Sequence, residues 1–143
     1  MGVNRILVAD DFRSWRCTVC AILKTRPELQ VIAEAEDGLE AVQKAKELKP
    51  DLILLDIGLP TLNGLEAARR IRKLIPKSKI IFVSQESCSD IVQGALALGE
   101  AYVAKSDVAS ALLTAVNAVL QGGGFDCAGF YRRDFRDTRD PLS

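Results

Sequence analysis

Five short runs of consecutive apolar residues constrain this chain more than any other feature. They are Ile6-Leu7-Val8-Ala9, Val31-Ile32-Ala33, Leu52-Ile53-Leu54-Leu55, Ile80-Ile81-Phe82-Val83 and Ala101-Tyr102-Val103-Ala104. A strand with one wet face alternates apolar and polar residues. A run without that alternation belongs to a strand covered on both faces, as in a parallel sheet.

The segments between the runs are long enough for helices. Asp37 is placed to cap a helix over Gly38 to Leu48, which stops before Pro50 and carries Leu39, Val42, Ala45 and Leu48 at helical spacing. Asn63 is placed to cap Gly64 to Ile75, stopped by Pro76. A further helix starts at Ser89 or Asp90 and runs to Leu98, with Gly99 as its stop signal. Asp107 is placed to cap the last helix, whose face is Ala109, Leu112, Leu113, Val116, Val119 and Leu120 and whose end is Gly122-Gly123-Gly124. The first helix, from about Arg13 to Thr25 before Pro27, has the least distinct pattern. Five βα units with right-handed crossovers predict an α/β fold: a doubly wound, five-stranded parallel sheet with helices on both faces.

This organisation divides the chain into a domain over residues 1–121 and a tail or linker over 122–143. The tail holds Phe125, Phe130, Tyr131 and Phe135, and its mixed run from Arg132 to Asp140 reads as a solvated, self-neutralising segment. The 143 residues are the length of one domain. Lys+Arg and Asp+Glu both total 19, so no excess positive charge exists to neutralise a polyanion, and the chain is not expected to bind DNA itself. Histidine is absent, which excludes Ser-His-Asp triads, Cys-His nucleophiles and His-ligated zinc. The N-terminus lacks a signal-peptide pattern and no apolar stretch is of membrane length, so a cytoplasmic protein is expected.

In open α/β sheets, ligands bind outside the carboxyl ends of the strands. Here the first strand ends in Asp10-Asp11, the third in Asp56, the fourth in Ser84 and the fifth in Lys105. Clustered carboxylates repel one another and need a counter-charge. An oxygen-only donor set without His or Cys favours a hard divalent cation, with Mg²⁺ the default. A cation, a lysine and a hydroxyl around a carboxylate suit phosphoryl transfer onto that carboxylate.

This constellation resembles the receiver domain of bacterial two-component response regulators, over Arg5 to about Gln121. The matching stretches are Ile6 to Asp11, Asp51 to Pro60, Asn63-Gly64, Val83-Ser84 and Tyr102 to Lys105. The stretch from Gly99 to Gly122 looks like receivers that precede a helix-turn-helix output domain, for which the remaining residues are too few. The resemblance implies a flavodoxin-like receiver fold and a phosphoacceptor role for Asp56, supplied by a sensor histidine kinase or phosphotransfer protein. It implies Mg²⁺ held by Asp11, Asp56 and the Gly58 carbonyl, with Asp10 acting through water. It pairs Lys105 with the phosphoryl oxygens and makes Ser84 and Tyr102 the switch pair, changing the surface of the fourth helix, fifth strand and fifth helix toward a downstream protein partner. Such a chain is a phosphoacceptor rather than an enzyme. A homodimer is left open. Three departures bear on rates: Gln85 where a small residue is usual, Ser106 where proline is common, and Gly58 without a side chain.

Plainer readings stand beside these. Asp10-Asp11 can cap the first helix, Asp56 can serve a turn, Lys105 can be a surface lysine and Tyr102 a core aromatic. Cys17-x-x-Cys20 lacks the strand that precedes a redox motif, so it and Cys88 and Cys127 read as packing or incidental cysteines. An aspartate-nucleophile phosphatase wants a second acid where Gly58 stands, and a flavin module would have its phosphate repelled by Asp10-Asp11. The remaining alternative is a degenerate receiver acting as a phosphorylation-independent scaffold.

Overall fold

A computed structural model describes residues 2–85 and 88–122. Five strands form one sheet: β1 (Asn4–Ala9), β2 (Leu29–Ala35), β3 (Leu52–Leu55), β4 (Lys79–Ser84) and β5 (Ala101–Ala104). All pairings are parallel and the order is β2-β1-β3-β4-β5. The helices are α1 (Arg13–Leu23), α2 (Gly38–Leu48), α3 (Gly64–Leu74), α4 (Ser89–Leu98) and α5 (Val108–Leu120). Helix α1 contacts α5, while α2 contacts α3 and α3 contacts α4, so the sheet is wrapped on both faces. This is the expected doubly wound architecture. Among the described residues, no helix is long and apolar enough to cross a membrane.

The continuous runs are buried for the reason they are continuous. Every residue of β3 and the last four of β1 are buried, because both strands lie inside the sheet and beneath helices. The strands extend beyond their apolar cores: β1 starts at Asn4 and β2 covers Leu29 to Ala35. The β1–β2 register shifts between Ile6 and Leu7, where Ile6 faces Val31 and Leu7 faces Ala33. Ile32 is therefore the extra residue of a bulge, a device common at sheet edges.

Helix signals fared unevenly. Asp37 and Asn63 cap as expected, accepting from the Glu40 N–H at 2.8 Å and the Glu66 N–H at 2.9 Å. Asp107 does not cap; Lys105–Asp107 forms a 3₁₀ turn leading into α5, and the Asp107 side chain makes no cap bond. Helix α1 ends at Leu23, short of Thr25, and α3 at Leu74, short of Ile75. Of the expected α2 face, Ala45 is buried and Val42 packs against the core, but Leu39 is 48% exposed; Gly38 and Ala41 are buried with Ala45. Glycine at 38 lets the start of α2 approach closely, since a Cβ there would overlap the Leu62 carbonyl. Gly99 stops α4 in an extended conformation rather than a left-handed one. Its glycine is required by packing: a Cβ there would stand 2.9 Å from the Phe82 ring. Gly122 has φ +73°, the left-handed stop expected after α5. Gly123, Gly124 and the aromatic tail lie outside the described residues, as does Cys127.

Candidate functional site

The site lies at the carboxyl edge of the sheet, where β1, β3, β4 and β5 end. Ala9 and Leu55 are partners in the β1–β3 register, so Asp10 and Asp56 leave the sheet side by side. The Asp10 N–H donates to the Ala35 carbonyl and the Asp56 N–H to the Ala9 carbonyl, both at 3.0 Å. Each backbone is thus still held by the sheet while its side chain is already beyond it.

The loop after Asp56 is clamped by two helix starts. The Gly64 N–H donates to the Ile57 carbonyl at 2.8 Å, and the Gly38 N–H to the Pro60 carbonyl at 3.2 Å. A Cβ on Gly64 would stand 2.1 Å from the Asp56 carbonyl oxygen. Glycine at the first turn of α3 is therefore a condition for that close approach.

The Lys105 side chain reaches back from the end of β5 to both acids. Its Nζ lies 2.7 Å from Asp10 Oδ2 and 3.4 Å from Asp56 Oδ2. Asp10 and Asp56 are buried and Asp11 is exposed. One carboxylate oxygen from each of Asp10, Asp11 and Asp56 lies within 4.8 Å of the others. Three carboxylates against one ammonium leave the cluster short of positive charge. Burial pushes the Asp10 carboxyl above its usual range, outweighing the Lys105 contact and the Phe12 N–H that hold it down. A hard divalent cation fits this oxygen donor set and would supply the missing charge.

The other expected residues fall around this cluster. Gly58 is exposed, and its N–H donates to Asp56 Oδ1 at 3.2 Å. Ser84, the last residue of β4, is buried and registers with Ala104, next to Lys105. Tyr102 is buried and registers with Phe82. Gln85 and Ser106 are exposed and line, with Ser84, Lys105, Phe12 and Trp15, a cleft of about 450 Å³. Neither Asp10 nor Asp11 caps α1: the residue at its cap position is Phe12, and Asp10 Oδ1 instead accepts from the Phe12 N–H at 2.8 Å. Among the described cysteines, Cys20 is part-buried against the core and fits the packing reading, while Cys17 and Cys88 are exposed and fit the incidental one.

A family model for the response regulator receiver domain matches residues 6–117. The chain belongs to this family. The receiver is 37% identical over 122 residues to the transcriptional regulatory protein DegU of Brevibacillus brevis, covering 85% of this chain and 52% of that one. The response regulator domain of Thermotoga maritima CheB superposes with a TM-score of 0.78 at 36% identity, covering 87% of this chain and 99% of that one. A two-component response regulator of the LuxR family from Aurantimonas superposes at 0.81 with 31% identity, covering 85% and 88%. The receiver spans about half the length of the curated relatives it matches.

Two neighbours of the receiver site escaped the sequence reading. Arg16 is buried; its Nη1 donates to the Asp10 carbonyl at 2.7 Å and its Nε to Glu34 Oε1 at 2.9 Å. It shares the buried stripe of α1 with Val19 and Leu23, and a charge on an apolar stripe is the signal that marks it. Trp15 has its ring 5.3 Å from Lys105 Nζ, a contact between α1 and the turn after β5 that no local pattern contains.

Proposed function

We propose that this receiver accepts a phosphoryl group on Asp56 from the phosphohistidine of a sensor histidine kinase or phosphotransfer protein. The observation that carries this reading is the Lys105 ammonium set between the carboxylates of Asp10 and Asp56, beside the exposed carboxylate of Asp11. An Asp56 carboxylate oxygen attacks phosphorus, the phosphorus–nitrogen bond breaks, and its electron pair returns to the donor imidazole. Lys105 balances charge on the phosphoryl oxygens and the Ser84 hydroxyl donates to one of them. Asp10, Asp11, Asp56 and the Gly58 carbonyl would hold Mg²⁺, which supplies neutralising charge to the transferring group.

In this reading the chain is a cytoplasmic phosphoacceptor rather than an enzyme acting on a separate substrate. Residues 1–121 are the unit that receives the signal. Ser84 and Tyr102 link Asp56 to the surface of α4, β5 and α5, which changes its affinity for a downstream protein partner. In this reading the receiver does not itself bind DNA, and its output runs through that protein partner.

Intact-protein mass after incubation with acetyl phosphate tests the proposal. With Mg²⁺, the wild-type chain gains one phosphoryl group; without Mg²⁺, or in Asp56→Asn, it gains none. Undiminished uptake by Asp56→Asn places the acceptor elsewhere. No uptake by the wild type under any condition leaves the scaffold reading.

A further inference from the structure

The Lys105 ammonium has a third neighbour besides its two carboxylates. The Trp15 ring, in the first turn of α1, lies with its centroid 5.3 Å away. That is within the range over which an indole face attracts a cation, and tryptophan is the strongest of the aromatic partners. Lysine loses much rotamer freedom when it is held in one place. A ring beside the ammonium removes part of that freedom before any ligand arrives. Packing alone does not account for tryptophan here. Among the described residues, the Trp15 Nε1–H is buried with no hydrogen-bond partner. A purely apolar side chain would fill the place without an orphaned donor.

We infer that Trp15 is a positioning residue for phosphoryl transfer, its indole holding the Lys105 ammonium ready between Asp10 and Asp56. The inference rests on the phosphoacceptor reading of Asp56 and adds a residue to it. Removing the ring leaves both carboxylates in place but lets the ammonium wander, so the phosphoryl oxygens meet their counter-charge less often.

Trp15 is the chain's single tryptophan, so tryptophan emission comes from the surroundings of this ring alone. The first measurement is emission of the metal-free protein without any phosphodonor, wild type against Lys105→Met. Loss of the adjacent ammonium shifts or brightens the emission. The second is the rate of Mg²⁺-dependent uptake from acetyl phosphate in wild type, Trp15→Phe, Trp15→Leu and Asp56→Asn. Trp15→Leu slows uptake roughly two- to five-fold, and Trp15→Phe, which keeps a weaker π face, falls between. Far-UV circular dichroism checks that the variants are folded; if the leucine variant is not, the phenylalanine variant and the emission comparison decide. Emission unchanged by Lys105→Met, uptake in the Trp15 variants equal to wild type, or a phenylalanine variant no faster than the leucine one overturns the inference. Uptake abolished by Asp56→Asn but indifferent to Trp15 sinks the positioning role and leaves the acceptor standing. Absence of uptake in the wild type sinks the acceptor, and the positioning role falls with it.

Discussion

At Asp10, burial and pairing pull in opposite directions. The carboxyl is 3% exposed, yet it meets the Lys105 ammonium at 2.7 Å. Burial wins and raises its pKa above the usual carboxylate range. A raised carboxyl pKa means the charged form burdens the folded state above that value and is relieved as pH falls through it. Asp10→Asn in metal-free buffer is therefore expected to melt higher than wild type at neutral pH, with the advantage shrinking as acid protonates the native carboxyl. A lower melting temperature for the variant at pH 7 would show that the Lys105 pairing outweighs burial. Burial also governs Cys20, whose thiol is pushed up to about 11. At pH 8 only about one such thiol in a thousand is ionised. Alkylation by iodoacetamide, followed by peptide mass mapping, should label exposed Cys17 and Cys88 about tenfold or more ahead of Cys20. Equal labelling would contradict the shift.

Gly64 shows how an element places a functional residue. The start of α3 rests on the loop after Asp56 so closely that a Cβ would stand 2.1 Å from the Asp56 carbonyl and 2.7 Å from Ile57 Cα. Gly64→Ala forces backbone apart and should cost about 1–3 kcal/mol, read by urea denaturation, while slowing phosphoryl uptake. A variant as stable as wild type would mean that the loop yields freely. The pair Asn63-Gly64 shows what was legible at this scale and what was not. The cap at Asn63 is a local bond to Glu66, three residues on, and local spacing reveals it. The Gly64 contact reaches back to Asp56 and Ile57 in the loop after β3 and leaves no periodic spacing behind. Asp107 is the reverse case: an acid where a cap is expected, but the 3₁₀ turn from Lys105 occupies the entry to α5 instead. Leu39 fits an apolar spacing, yet it stays exposed while Ala41, Ala45 and, in part, Val42 pack against the core.

Across the whole molecule, the buried cluster runs from β1 to α5 and includes Val116 and Val119, so the described core closes before Gly122. A chain ending at Gln121 is expected to melt within a few degrees of the full chain and to take up phosphoryl equally well; a large loss of either would assign residues 122–143 to the domain. The five strands, their parallel sense and the helix count follow from the sequence alone, because continuous apolar runs and helical spacing record burial on a local scale. So do Asp10, Asp11, Asp56, Ser84 and Lys105 as strand-end residues, since ligands gather where parallel strands end. Which strands adjoin is a tertiary fact: β1 and β3 are neighbours across more than forty residues of chain, and that adjacency sets Asp10 beside Asp56. The contacts of Lys105 with Asp10, Asp56 and Trp15, and of Arg16 with the Asp10 carbonyl, arise only once α1 and β5 are assembled around that edge. Periodicity carries which face a residue turns inward; it carries nothing about what it meets there, because distance between elements is decided by packing.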